Sequence, residues 1–480
     1  MHKTFVKNKT LFLTLFFVIL YSATIALATP PTYNTLNPDC LPTDPACSIA
    51  FNTSTIAENT NLYFTNARAR SAALTLDTHN SFMIGGATSA ATNAYSVFVG
   101  FGAGVGADNA TSSNFIGANT GVGATDASYS NFLGLQAGYL ATNANNSNFI
   151  GNRAGQGATN AEFSNFIGFE AGYNAIYASY SNFFGGSAGS GATSASNSNF
   201  LGSSAGHSAT NASNSNFFGP NAGYQATNAN NSNFLGQQAG YGATNALYSN
   251  FFGLTAGRNA TNANSSNFIG SSAGDGATNA QLSNFFGLRA GLNATNANNS
   301  NFFGEDAGSG ATSANNSNFF GQQAGMQAEN ASNSNFFGQQ AGMQAENASY
   351  SNFFGAGAGL NAVNANNSNF FGGNAGYEAA DANHSLFIGK EAGSYAAEAS
   401  SSVFIGYRSG YQTGTDFGFN GDCDPTAGEC FSSIFIGAHS GYQATNANNS
   451  NFFGLGAGQN ATNAQQSNFF GLTAGRDRKS

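Results

Sequence analysis

Residues 147–163 read Ser147-Asn148-Phe149-Ile150-Gly151-Asn152-Arg153-Ala154-Gly155-Gln156-Gly157-Ala158-Thr159-Asn160-Ala161-Glu162-Phe163, and at Ser164-Asn165-Phe166-Ile167-Gly168 the same pattern begins again. The template is S-N-F-[FIL]-G-x-x-A-G-x-x-A-T-N-A-x-x, with a period of 17 residues. Phe occupies every seventeenth position from Phe98 to Phe404, 19 copies, and recurs at Phe435, Phe452 and Phe469. A shorter, degenerate copy lies around Phe82 to Ala94. Repetition at this scale means a solenoid, in which each unit buries its core only against its neighbours.

Two Gly and several Asn in every 17 residues are incompatible with a short helix. The unit therefore predicts a strand–turn–strand coil. S-N-F-F-G, short, aromatic or β-branched and closed by Gly, reads as the strand. Ala-Gly, as in Ala137-Gly138, marks a corner that needs φ > 0 or close backbone approach. Ala141 to Ala144 reads as a second, weaker strand-like side. The expected fold is all-β, a parallel β-solenoid (β-roll or β-helix) of about 23 rungs over residues 79–476, rising about 4.8 Å per rung to roughly 110 Å.

Within the strand, neighbouring side chains point to opposite faces. The first aromatic of each rung, exemplified by Phe115, Phe132, Phe149, Phe302 and Phe319, is expected inside, opposite Ala such as Ala294 and Ala297. Each is worth roughly 1.5–3 kcal/mol when buried, which offsets the entropy of ordering a Gly-rich chain. The second position, always Phe, Ile, Leu or Val and typified by Phe303, Phe320 and Phe337, then faces outward. An apolar stripe along a soluble rod needs a cover. A second copy in register is the simplest one, so a homo-oligomer is expected; a flattened coil that buries both columns is the alternative.

Outside the repeat, residues 1–28 combine Lys3, Lys7 and Lys9, an apolar run from Leu11 to about Ala26, and the small-residue site Ala26-Leu27-Ala28. This is the pattern of a secretory signal peptide, or of a retained signal anchor. No second apolar stretch follows, so the mature chain is expected to carry no membrane span. Residues 29–78 form an N-terminal segment and 477–480 a charged tail. Cys40 with Cys47, and Cys423 with Cys430, are two local pairs that export would turn into disulfide loops; free thiols or metal ligands are the alternatives. A net charge of −9 with scattered Lys and Arg gives no footprint for nucleic acid.

The strand motifs, for instance Ser147-Asn148-Phe149-Ile150-Gly151 and Ser266-Asn267-Phe268-Ile269-Gly270, resemble the head repeats of trimeric autotransporter adhesins and related phage tail-fibre repeats. The stretch Asn61-Leu62-Tyr63-Phe64-Thr65-Asn66-Ala67-Arg68-Ala69-Arg70 is similar to segments ahead of tail-fibre-like regions. The resemblance implies a trimer with an adhesive role on a surface, binding a glycan or protein ligand. The chain departs from those adhesins in its longer repeat and in having no heptads and no C-terminal barrel.

Candidate chemistry is sparse. His79, His207, His384 and His439 stand at variable or rim positions without a second ligand residue in sequence. Glu305-Asp306 and Lys390-Glu391 fall at the variable corner before Ala-Gly, where solvated charges are expected. Gly102-Ala103-Gly104-Val105-Gly106 opens no helix and reads as a corner, not a phosphate loop. The Asn-x-Ser/Thr triplets, such as Asn145-Asn146-Ser147, arise from the repeat; their Asn residues are expected to cap turns and stack into amide ladders. No cofactor motif is present, and an enzyme is not expected.

One insertion interrupts the period, because Phe404 and Phe435 are 31 residues apart. The insert, 413–433, carries Asp416, Phe417, Phe419, Asp422, Asp424, Glu429 and Phe431, and is a candidate recognition loop. Asp422 and Asp424 fall short of a calcium-loop ligand set, and a decorative loop pinned by Cys423 and Cys430 is the alternative. The functional expectation is a secreted or surface-displayed fibre acting in adhesion or as a stalk. Ice binding through the Thr of each A-T-N-A, and a functional amyloid or matrix protein, are the competing expectations.

Overall fold

The structure, a computed structural model, describes residues 75–76, 81–84, 95–396, 399–413, 432–445, 447 and 449–476. The chain divides into Met1–Phe64 and Thr65–Ser480, and every described residue belongs to the second unit. That unit is a parallel β-solenoid, and no helix occurs among the described residues. Strand β1 (Thr75–Leu76) pairs antiparallel with β2 (Phe82–Ile84), and β2 pairs parallel with β3 (Val97–Val99). From β3 onward each rung adds one three-residue strand in parallel register, ending at β24 (Asn468–Phe470). The register is strict: Asn301, Phe302 and Phe303 lie against Asn318, Phe319 and Phe320. Across the insertion it is kept, with Val403, Phe404 and Ile405 against Ile434, Phe435 and Ile436.

The expected second strand is absent. Ala141 to Ala144 is a bend, and each rung contains only one strand. The reason lies in the backbone. In the rung 147–163, φ is positive at Gly151, Arg153, Gly155, Gly157, Asn160 and Phe163, and the same places are positive in rung after rung. Left-handed residues alternating with right-handed ones coil the chain tightly, which an extended strand cannot do. This is where Gly and Asn, the residues most tolerant of φ > 0, are used.

The turns nevertheless satisfy their polar groups as a sheet does. Arg153 N–H donates to Leu135 O of the rung before (2.8 Å), Gly155 N–H to Ala171 O of the rung after (2.8 Å), Gly157 N–H back to Tyr139 O and Thr159 N–H forward to Ala175 O. Short turns within the rung, such as Ala158 N–H to Gly155 O at 3.1 Å, take others. Inter-rung bonding therefore runs around the whole coil, as the accounting of buried backbone groups requires.

The core is made of one Phe and three Ala per rung. Phe115, Phe132, Phe149, Phe302 and Phe319 are fully buried, as are Ala294 and Ala297. Their rings stack along the axis, with centroids 4.7 Å apart and planes within 2° for Phe132 and Phe149. Two glycines make this possible. A Cβ on Gly138 would collide with the Phe132 ring, and one on Gly134 would stand 2.6 Å from Gly151 O of the next rung.

Candidate functional site

Each strand presents its first and third residues outward and its second inward. The outer face of the sheet therefore carries two parallel columns. In the first, Asn side chains donate along the axis, Asn114 Nδ2 to Asn131 Oδ1 at 2.7 Å and so on through Asn301 to Asn318 at 2.8 Å and Asn352 to Asn369 at 2.7 Å. In the second, Phe303, Phe320 and Phe337 are half-buried and stack 4.8 Å apart, within a continuous run from Phe286 to Phe371. The column is apolar at every strand from Val99 to Phe470. The coil is thus too narrow to enclose both aromatic columns.

Beneath the face, Ser at the first rung position forms a buried column. Ser147 Oγ donates to Ala161 O (2.5 Å) and accepts from Ser164 N–H (2.9 Å), which explains why this position is Ser in rung after rung. On another side, a second Asn ladder runs beside a Thr column, for example Asn262 to Asn279 at 2.7 Å. The Thr hydroxyls there accept from backbone N–H groups of the next rung, as Thr142 Oγ1 does from Asn160 at 3.3 Å. The column is unbroken from Thr193 to Thr312 and interrupted at Ile176 and Glu329. Asn228, Asn230, Asn245, Asn262 and Asn264 line a shallow groove of about 290 Å³ along this side.

Charged residues at the corners pair across one rung. Arg153 meets Glu170 (3.1 Å), Arg258 meets Asp275 (2.7 Å), and Arg289 meets Asp306 (2.7 Å). Their arginines are close to half exposed, whereas Asp275 and Asp306 are buried, so the surface-pair value of about 0–1 kcal/mol applies to Arg153 with Glu170 alone. No group of His, Cys, Asp and Glu suited to a metal ion occurs among the described residues. No helix there is long and apolar enough to cross a membrane.

A cluster of aromatic and charged side chains flanks the insertion, and sequence reasoning did not single it out. Tyr411 stacks on Tyr442 (centroids 5.3 Å, 9°), while Tyr395 stands edge-on between Tyr377 (5.2 Å, 69°) and Tyr411 (5.7 Å, 76°). His439 meets Tyr407 (5.3 Å, 87°) and Tyr442 (5.5 Å, 62°). The guanidinium of Arg408 lies 5.2 Å from the Tyr407 ring centre and 5.4 Å from that of Tyr411, and its Nε donates to Glu391 Oε2 at 2.6 Å. That hydrogen bond holds Arg408 above its ordinary range. A hydrogen bond to the Glu378 carboxylate pushes the Tyr377 phenol up to about 12, and burial raises Tyr411. The legible signal was Tyr at the tenth rung position in Tyr377, Tyr411 and Tyr442, with Tyr395 one place out of phase.

The remaining sequence candidates lie outside the described residues: Cys40, Cys47, Cys423 and Cys430, together with Asp416, Phe417, Phe419, Asp422, Asp424, Glu429 and Phe431. So do residues 1–28, most of 29–78, and the tail 477–480. Neither family models, nor curated proteins, nor solved structures gave a match to this chain.

Proposed function

We propose that the chain is an exported, non-enzymatic fibre that associates with copies of itself and serves in adhesion or as a stalk. The observation that carries this reading is the outward apolar column, one residue per strand from Val99 to Phe470. At roughly 50 Å² of exposed ring or branched side chain per rung, 22 rungs offer on the order of 1,100 Å² per copy. That exceeds the roughly 800 Å² per partner of a standard stable interface. The column repeats at the inter-rung spacing, so a second copy laid parallel and in register matches it residue for residue, and closed rotational symmetry about an axis would cover it in every copy. A trimer is the state the adhesin and tail-fibre resemblance favours.

Sedimentation velocity on the full chain and on the triple variant Phe303→Ser, Phe320→Ser, Phe337→Ser tests this. A discrete oligomer that shifts toward monomer in the variant supports the reading. A monomeric wild-type chain overturns it.

A further inference from the structure

We propose that the tyrosine patch around Tyr395, Tyr407 and Tyr411 is a binding platform for a neutral oligosaccharide. This deepens the adhesive part of the function proposed above by naming a ligand class and a place.

The first argument is ring orientation. In the half-buried ring columns elsewhere on the solenoid the aromatics stack flat, as Tyr224 does on Tyr241 at 5°, so each ring covers its neighbour's face. Tyr395 and Tyr407 are instead turned 69–87° from the rings they touch. Neither ring lies flat on another, Arg408 lies over the Tyr407 ring, and the two tyrosines are 36% and 41% exposed. A sugar ring packs its C–H face on such a surface while its hydroxyls stay at the edges.

The second is the way Tyr395 is installed. It occupies the eleventh rung position, where other rungs carry Gly, Asn, Gln, Ser, Leu or Glu, and its φ is 57°. The left-handed φ is shared by the same position in other rungs, so the coil takes Tyr there without changing its path. The tenth position of that rung is the buried Ser394, so without Tyr395 the aromatic run from Tyr377 to Tyr411 would have a gap.

The third is the polar frame. Arg408 is held beside two rings and clamped by Glu391, so its planar fork is pre-organised to donate to vicinal hydroxyls at little further entropic cost. Glu391 also neutralises it, and Lys390 lies 3.9 Å from the same carboxylate. With mixed, nearly balanced charge, the patch offers no field to attract a polyanion. Its rings span roughly 15 Å, three inter-rung steps, which suits a chain lying along the wall.

The experiment is isothermal titration calorimetry of the full chain with cellohexaose, chitohexaose and mannohexaose. Binding of at least one is expected, weakened tenfold or more by Tyr407→Ala and by Arg408→Lys, and unchanged by Tyr241→Ala in the flat stack. Arg408→Lys keeps the charge and the fold, so a Tyr407→Ala chain that fails to fold still leaves the test standing. Absence of binding to all three sugars, binding indifferent to both variants, or capture of peptides alone overturns the proposal. Sedimentation of the same samples separates the two readings: lost sugar binding with the oligomer intact is a failure of the patch, and a monomer that still binds sugar is a failure of the self-associating rod.

Discussion

Phe302→Ala removes a ring that is fully buried and packed between Phe285, 4.6 Å away, and Phe319, 4.5 Å away. The floor of its site is the α-carbon of Gly308, where a Cβ would collide with the ring, and the stacked coil above and below cannot collapse into the space. Truncating a buried Phe costs about 3–5 kcal/mol, the lost ring contacts included. In a solenoid each rung is stabilised only by its neighbours, so the loss should stay local. Hydrogen exchange read by mass spectrometry is the assay. Amides between about Phe285 and Phe336 should exchange roughly 10²- to 4 × 10³-fold faster, at tenfold per 1.4 kcal/mol, while those around Phe149 keep wild-type protection. A uniform loss along all rungs, or none at all, would refute the nearest-neighbour reasoning.

Ser300→Ala leaves Ser317 N–H and Ala314 O without their shared hydroxyl in a buried column and should cost about 1–3 kcal/mol, read as a lower denaturation midpoint. Gly304→Ala is expected to be at least as harmful, because φ there is 135° and the added Cβ would meet Gly321 O at 2.5 Å, whereas Gly186→Ala, in open space, should stabilise by about 0.4–1 kcal/mol; paired melts decide it. The Tyr377 phenol, raised to about 12 by Glu378, favours folding below its unfolded value near 10 and loses that contribution as pH rises from 10 through 12. Glu378→Gln should move one phenol's absorbance change down toward pH 10, and an unchanged titration would contradict the assigned hydrogen bond.

Much of the fold was legible because the repeat makes each position report on a column. Phe at the third rung position and Ala at the eighth, twelfth and fifteenth can recur unchanged only where identical neighbours stack, so the buried ladder followed from spacing alone. The second strand did not follow. Thr159-Asn160-Ala161 looks β-like by composition, yet Asn160 takes φ 48°, and Asn is common both in extended segments' flanks and in the left-handed region. Composition cannot choose between those two uses. The tyrosine cluster was hidden for a different reason: Tyr395 is out of phase by one residue, and only its turned backbone carries the ring into line with Tyr377 and Tyr411.

By itself, the sequence determined the period, the all-β class, the Phe and Ala core and an outward apolar column, since these depend on side-chain chemistry repeated at fixed spacing. Tertiary structure decided that a rung has one strand, that its turns hydrogen-bond alternately to the rung before and the rung after, and that six aromatic and two charged side chains from four rungs meet beside the insertion. Those depend on backbone handedness and on distances between residues 16 to 32 positions apart, quantities that no local pattern of residue types specifies.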